Sequence, residues 1–166
     1  LMNMRNFYPA IFFSLLVLIS NKGMAQGEDC NNPYVINTLP FNMAGFTNCG
    51  YGNDYQLGFF ELCFPILGQS YSAGQDFIFE FTPTISGCYQ TSAINPTIPA
   101  AGLGVFVYEG GCPGTGSCVA VNEPILQQPA NAFLDAGTTY YIMVSSGTGL
   151  DGTTDCTGFD FYISDP

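Results

Sequence analysis

The chain has no histidine and no tryptophan, and its only basic side chains are Arg5 and Lys22. Beyond residue 25 there is therefore no His, Lys or Arg at all. That absence excludes Ser-His-Asp triads, Schiff-base lysines and guanidinium clamps on phosphate. An activated cysteine nucleophile would need a base or a positive field, and neither side-chain type is present. A pair of carboxyls of the glycosidase kind is the one familiar catalytic arrangement the composition permits, and it requires a carboxyl separation that no spacing here encodes. The seven cysteines, lacking His and any C-x2-C spacing, do not read as a zinc site. The composition thus argues against an enzyme.

Also missing is any apolar repeat of helical period after residue 25, any internal repeat and any low-complexity linker. The one long apolar run, "AIFFSLLVLI" (10–19), follows Arg5 and precedes the small residues Gly23 and Ala25. It is too short for a bilayer, which needs about 20 residues. Residues 1–25 read as a cleaved secretory signal, with a mature N-terminus at Gln26 or Gly27, and 26–166 as a single domain. All thirteen acids lie beyond that segment. Such a surface repels phosphate backbones and anionic lipid, so neither nucleic-acid binding nor membrane insertion after signal removal is expected. An oxidising compartment and disulfides are.

What is present is period-two alternation. In "DFIFEFT" (76–82) Phe77, Phe79 and Phe81 share a face, with Asp76 and Glu80 on the other. "TYYIMVSS" (139–146) and "GFDFYIS" (158–164) repeat the pattern, and "YVINTL", "LGFFELCF", "GCYQTSA", "GVFVYE", "CVAV" and "AFLD" are shorter candidates. Clusters of Gly, Pro, Asn and Asp separate them. About nine short strands at this spacing predict an all-β, disulfide-stapled antiparallel sandwich, with a closed barrel as the alternative.

Three constellations stand out. "CPGTGSC" predicts a Cys112–Cys118 bridge across a hairpin loop. Cys49–Cys63 and Cys88–Cys156 follow as further pairs, the latter because both residues open strands, and Cys30 is left over. Calcium takes six to eight oxygen ligands. Asn53 and Asp54 in "CGYGNDY" (49–55), Asp76 at a strand start, and Asp151, Asp155 and Asp160 in "DGTTDCTGFD" are the oxygens that could supply them. The competing reading of "YGNDY" is a plain Asx-type turn, and it is the preferred one. Tyr51, Tyr55 and Tyr71 lie on or beside loops, where a tyrosine suits stacking on a sugar or contact with a protein.

The order "GEDCNNPYVINTLPF", "NCGYGNDY", "DFIFEFTPTISGCY", "GVFVYEGGCPGTGSCVA" and "LDAGTTYYIMVSS…CTGFDFYIS" resembles the pre-peptidase C-terminal-like domains of bacterial secreted proteins over residues 28–164. Asp76 to Gly87 is similar to that family's strand and turn, with Phe79 where the family often has Tyr or Trp. The resemblance implies a jelly-roll-like sandwich without catalytic residues, carried by larger proteins of the type IX-exported kind. The expected function is a non-catalytic extracellular module that binds protein or carbohydrate at the cell surface. The alternative is a structural spacer or accessory domain of a secreted hydrolase with no ligand of its own.

Overall fold

A computed structural model describes residues 25–55, 73–98, 102–122, 129–147 and 156–164. The signal segment up to residue 24, the "LGFFELCF" stretch with Cys63, Tyr71, Asp151 and Asp155 all lie outside the described residues.

The alternating stretches form the expected strands: β1 (Tyr34–Ile36), β3 (Asp76–Phe81), β4 (Gly87–Ile94), β5 (Leu103–Glu109), β6 (Ser117–Val121), β7 (Ala130–Leu134), β8 (Tyr140–Ser146) and β9 (Gly158–Ile163). The sequence reading passed over β2 (Phe41–Thr47). Its alternation is interrupted where the register against β9 shifts between Met43 and Phe46. Gly45 sits in that bulge at φ +84°, a backbone region that glycine enters without strain.

The strands make two sheets, ordered β1-β3-β8-β5-β6 and β2-β9-β4-β7, which we call the first and second sheet. The pairs β2·β9, β3·β8, β4·β7 and β5·β6 are all antiparallel and nest inside one another along the chain. This is a long antiparallel ribbon folded over on itself, the topology of a jelly roll. The cross-pairs β4·β9 and β5·β8 complete the two sheets. Among the described residues the sheets end in separate edge strands, the arrangement of a sandwich and not of a closed barrel. One pairing departs from the antiparallel expectation: β1 runs parallel to β3.

Between the sheets lies an aromatic core. Phe79 of the first sheet stacks on Phe161 of the second at 4.1 Å between ring centroids, and Phe46 stacks on Phe159 at 5.9 Å. Phe77, Phe81, Tyr140, Ile142, Val144 and Ile163 fill the same layer, as their alternation requires. Burying each such side chain contributes about 1.5–3 kcal/mol.

The outer face of the first sheet is not the solvent-facing side that simple alternation predicts. Ile78, Phe106, Tyr108 and Met143 form a second buried cluster there, covered in part by Cys30 and Tyr55. Gly27 O accepts the Ile78 N–H at 2.8 Å, which holds the N-terminal segment against β3. Asp76, which alternation places on that outer face, is consequently fully buried.

The cysteine pairing differs from every predicted bridge. The disulfides are Cys30–Cys112 and Cys49–Cys156, while Cys88 is free and exposed. Cys118 is disulfide-bonded as well, with its partner outside the described residues. Cys88 and Cys156 do each adjoin a strand start, but β4 and β9 are antiparallel, so their starts lie at opposite ends of the sheet. Cys49 follows β2 and Cys156 precedes β9, and the register Thr47↔Gly158 carries straight on into that bridge. The 110–116 turn closes on its own backbone, with Gly116 N donating to Cys112 O at 2.7 Å. Cys112 turns to Cys30 instead of Cys118.

Candidate functional site

The folded ribbon sorts the connections into two groups. One pole of the sandwich carries 37–40, 82–86, 110–116 and 135–139, all short. The other carries the described ends of the connections 48–75, 95–102, 122–129 and 147–157, all longer in sequence. Loops raised on a rigid scaffold are where binding surfaces concentrate. The long-connection pole is therefore the candidate site, and "CGYGNDY" lies in its longest connection.

Asn48, one residue before that stretch, organises the base of the pole. Its Oδ1 accepts the Thr157 N–H at 2.7 Å, and its Nδ2 donates to Gln75 O and, at 3.2 Å, to Ser146 Oγ. Its backbone N–H donates to Thr157 O at 3.3 Å. A buried amide offers two donors and an acceptor, and here each meets a partner from a different strand end. The Cys49–Cys156 bridge lies beside it.

Asn122 does the same for the neighbouring connection. Its Oδ1 accepts from Val105 N at 2.7 Å, and its Nδ2 donates to Leu103 O at 3.0 Å. Sequence reading missed both asparagines, because Asn48 before Cys-Gly and Asn122 before Glu-Pro read as turn punctuation. The available signal was their place directly after a strand, where an amide can continue the ladder.

The rest of the stretch is a turn built into the fold. Gly50 N donates to Gln75 Oε1 at 2.7 Å, and Asn53 Nδ2 donates to Ala73 O at 2.7 Å. Asp54 is exposed, and its carboxylate folds back over Gly52. Tyr55 N donates to Asp76 Oδ2 at 3.0 Å, and Asp76 N donates to Gly52 O at 2.9 Å.

Burial pushes the Asp76 carboxyl up from 3.8 to about 6, helped by the nearby Asp54 charge. The Ser145 hydroxyl and the amides of Tyr55 and Asp54 oppose that rise. Ser145 thus lies close enough to favour the Asp76 charge, yet neither Asp76 Oδ1 nor Ser145 Oγ makes a hydrogen bond of ordinary geometry.

Of the expected calcium ligands, the structure brings Asp54 and Asp76 together and holds Asn53 nearby. Asp160 is elsewhere. It accepts from Gly45 N at 3.1 Å and from Asn95 Nδ2 at 2.8 Å, on the second sheet, where it secures the β2 bulge. Among the described residues, no three acids or cysteines gather in a way that could hold a metal ion.

The tyrosines of the stretch face inward rather than out. Tyr51 packs edge-on to Phe77 at 5.2 Å between centroids, and its hydroxyl donates to Gln26 O at 3.3 Å. The Tyr55 hydroxyl accepts from Cys30 N at 3.2 Å within the outer cluster. Burial raises the pKa of both phenols.

At the short-connection pole a groove of about 190 Å3 is lined by Asn37, Leu39, Phe81, Thr82, Ile85 and Tyr89. That is smaller than the roughly 300–1,000 Å3 usual for small-molecule sites. Among the described residues no helix is long and apolar enough to cross a membrane. No family model, no curated protein and no solved structure matches the chain.

Proposed function

We propose that the protein is a secreted, non-catalytic module that binds protein or carbohydrate at a cell surface through the long-connection pole of its sandwich. The observation that carries this reading is the sorting of every long connection to one pole, on a base tied by Asn48 and the Cys49–Cys156 bridge. Disulfides suit an oxidising, extracellular setting. The signal-like first 25 residues and the resemblance to pre-peptidase C-terminal-like domains support the same placement. Thirteen acids without a basic side chain beyond residue 25 favour a partner with basic or neutral chemistry over an anionic one.

A second reading, a spacer or accessory domain without its own ligand, is favoured by the use of Tyr51 and Tyr55 in packing. One experiment separates the two. The secreted protein is screened by biolayer interferometry against a glycan array and against intact cells at low and high salt. A variant whose 148–155 stretch is replaced by a short turn, with Cys156 and Thr157 kept, runs in parallel, and its melting temperature is measured. Binding that disappears in the folded variant supports the binding module. Binding that survives the replacement moves the site away from this pole, and no binding in any arm supports the spacer.

A further inference from the structure

Asp76 opens β3 directly opposite Ser145 of β8, and both side chains are completely buried. Asp76 Oδ2 is satisfied by the Tyr55 amide, but Asp76 Oδ1 and Ser145 Oγ have no hydrogen-bond partner. A buried carboxylate ordinarily requires a counter-charge or a full set of donors. No described element packed here supplies a positive charge. The 48–55 segment brings the Asp54 carboxylate and the Tyr55 phenol, the N-terminal segment brings Asp29 beside that phenol, and β8 brings only a hydroxyl.

A Ser145 hydroxyl turned onto an ionised Oδ1 would satisfy both orphan atoms but leave a buried charge without a counter-ion. A proton on Oδ1 satisfies them and removes that charge. A neutral Asp76 carboxyl can donate from Oδ1 to Ser145 Oγ, while Oδ2 still accepts from Tyr55. It also removes the repulsion from Asp54.

We propose that Asp76 and Ser145 form a proton-binding latch that holds the 52–55 turn onto the sandwich when Asp76 is neutral and loosens it when Asp76 ionises. The folded pKa lies above the unfolded one, so the latch's contribution is fully present below about pH 4 and is lost as pH rises through about 6. A shift of about two units corresponds to roughly a hundredfold change in the unfolding equilibrium. The latch does not depend on the binding reading, because it is tested on the free protein.

The test compares urea unfolding of the full chain and of Asp76→Asn at pH 4.5 and 7.5. The asparagine keeps the shape, stays neutral and can donate to Ser145. At pH 7.5 the variant should be the more stable protein, by up to roughly a hundredfold in the unfolding constant, with the gap narrowing below about tenfold at pH 4.5. Exchange of the Tyr55 amide, corrected for its intrinsic pH dependence, should quicken between those pH values in the wild type only.

A gap that does not change with pH, or a variant less stable at pH 7.5, overturns the latch. Should the variant fail to fold, carboxyl-carbon NMR of the wild type decides. An Asp76 midpoint near 6 supports the latch, and one at or below about 4 overturns it. If millimolar calcium at pH 7.5 lifts the wild type to the stability of the variant, a cation and not a proton fills the site, and the latch is overturned.

Discussion

The two poles of this sandwich are closed in different ways. At the short-connection pole the turns bond to one another. Gly137 N donates to Pro83 O at 2.8 Å, Ala136 N donates to Ser86 Oγ at 2.9 Å, and the Thr82 and Thr139 hydroxyls meet at 3.0 Å. Each turn there is mostly satisfied within itself or by its neighbour, and most of these groups are exposed. At the long-connection pole the described strands lie farther apart in sequence, and buried side-chain amides bond the strand ends to one another. Asn48 joins the ends of β2 and β8 to the starts of β3 and β9, and Asn122 caps the start of β5. A disulfide completes that closure. The stability of the long-connection pole therefore rests on a few buried groups, whereas at the other, apart from the Cys30–Cys112 bridge on the 110–116 turn, it is spread over many weak ones.

The largest effect should come from breaking the Cys49–Cys156 bridge. Its sequence separation is 107 residues. In the chain-entropy account a loop of that size contributes about 4–5 kcal/mol by restricting the unfolded chain. Paired Cys49→Ala and Cys156→Ala substitutions should lower the denaturant midpoint accordingly, and a loss under about 1 kcal/mol would mean the pole is held without the bridge. Asn48→Ala comes next, at about 3 kcal/mol, because Thr157 N is left buried and Gln75 O half-buried without the Asn48 side chain. The matching change at the other pole, Thr82→Ala, removes an exposed hydroxyl pair and should cost under about 1 kcal/mol. Equal losses at the two sites, measured by urea unfolding, would erase the distinction between the poles.

The strands and the inter-sheet core were the legible parts of the sequence. Alternation identifies Phe77, Phe79, Phe81, Phe159 and Phe161 as core because period two is a local property of the strand. It could not place Asp76, since whether an outer face meets water depends on a segment distant in sequence, here the one containing Cys30. β2 was missed because its bulge breaks the period, and the residue that secures the bulge, Asp160, lies 115 positions away. Cys30–Cys112 joins the N-terminal segment to the 110–116 turn. The Cys49–Cys156 pairing instead followed strand direction, forming where β2 ends and its antiparallel neighbour β9 begins. Two strand starts do not satisfy that condition, and this is why the Cys88–Cys156 pairing fails.

A smaller effect tests the turn geometry of the short-connection pole. Gly137 sits at φ +79°, and a Cβ added there would touch nothing within 4 Å. Gly137→Ala should therefore cost only the backbone strain, about 1 kcal/mol, visible as a fall of a few degrees in melting temperature. A loss of several kcal/mol would show that the turn is packed more tightly than its surroundings indicate.

The smallest effect belongs to the outer face of the second sheet, which neither pole uses. Cys88 and Phe133 are direct cross-strand neighbours there, and Phe133 is 63% exposed. Truncating exposed side chains removes little buried area, so Cys88→Ser and Phe133→Ser should each change stability by no more than about 0.5 kcal/mol. The cysteine variant carries a second readout. Thiol titration of the unfolded, unreduced wild type should find a single reactive thiol, and Cys88→Ser should find none. Reactivity that persists in Cys88→Ser would reopen the disulfide map, and with it the large penalty assigned to the Cys49–Cys156 bridge. An unreactive variant fixes Cys88 as the odd cysteine and leaves that bridge as the tie at the base of the long-connection pole.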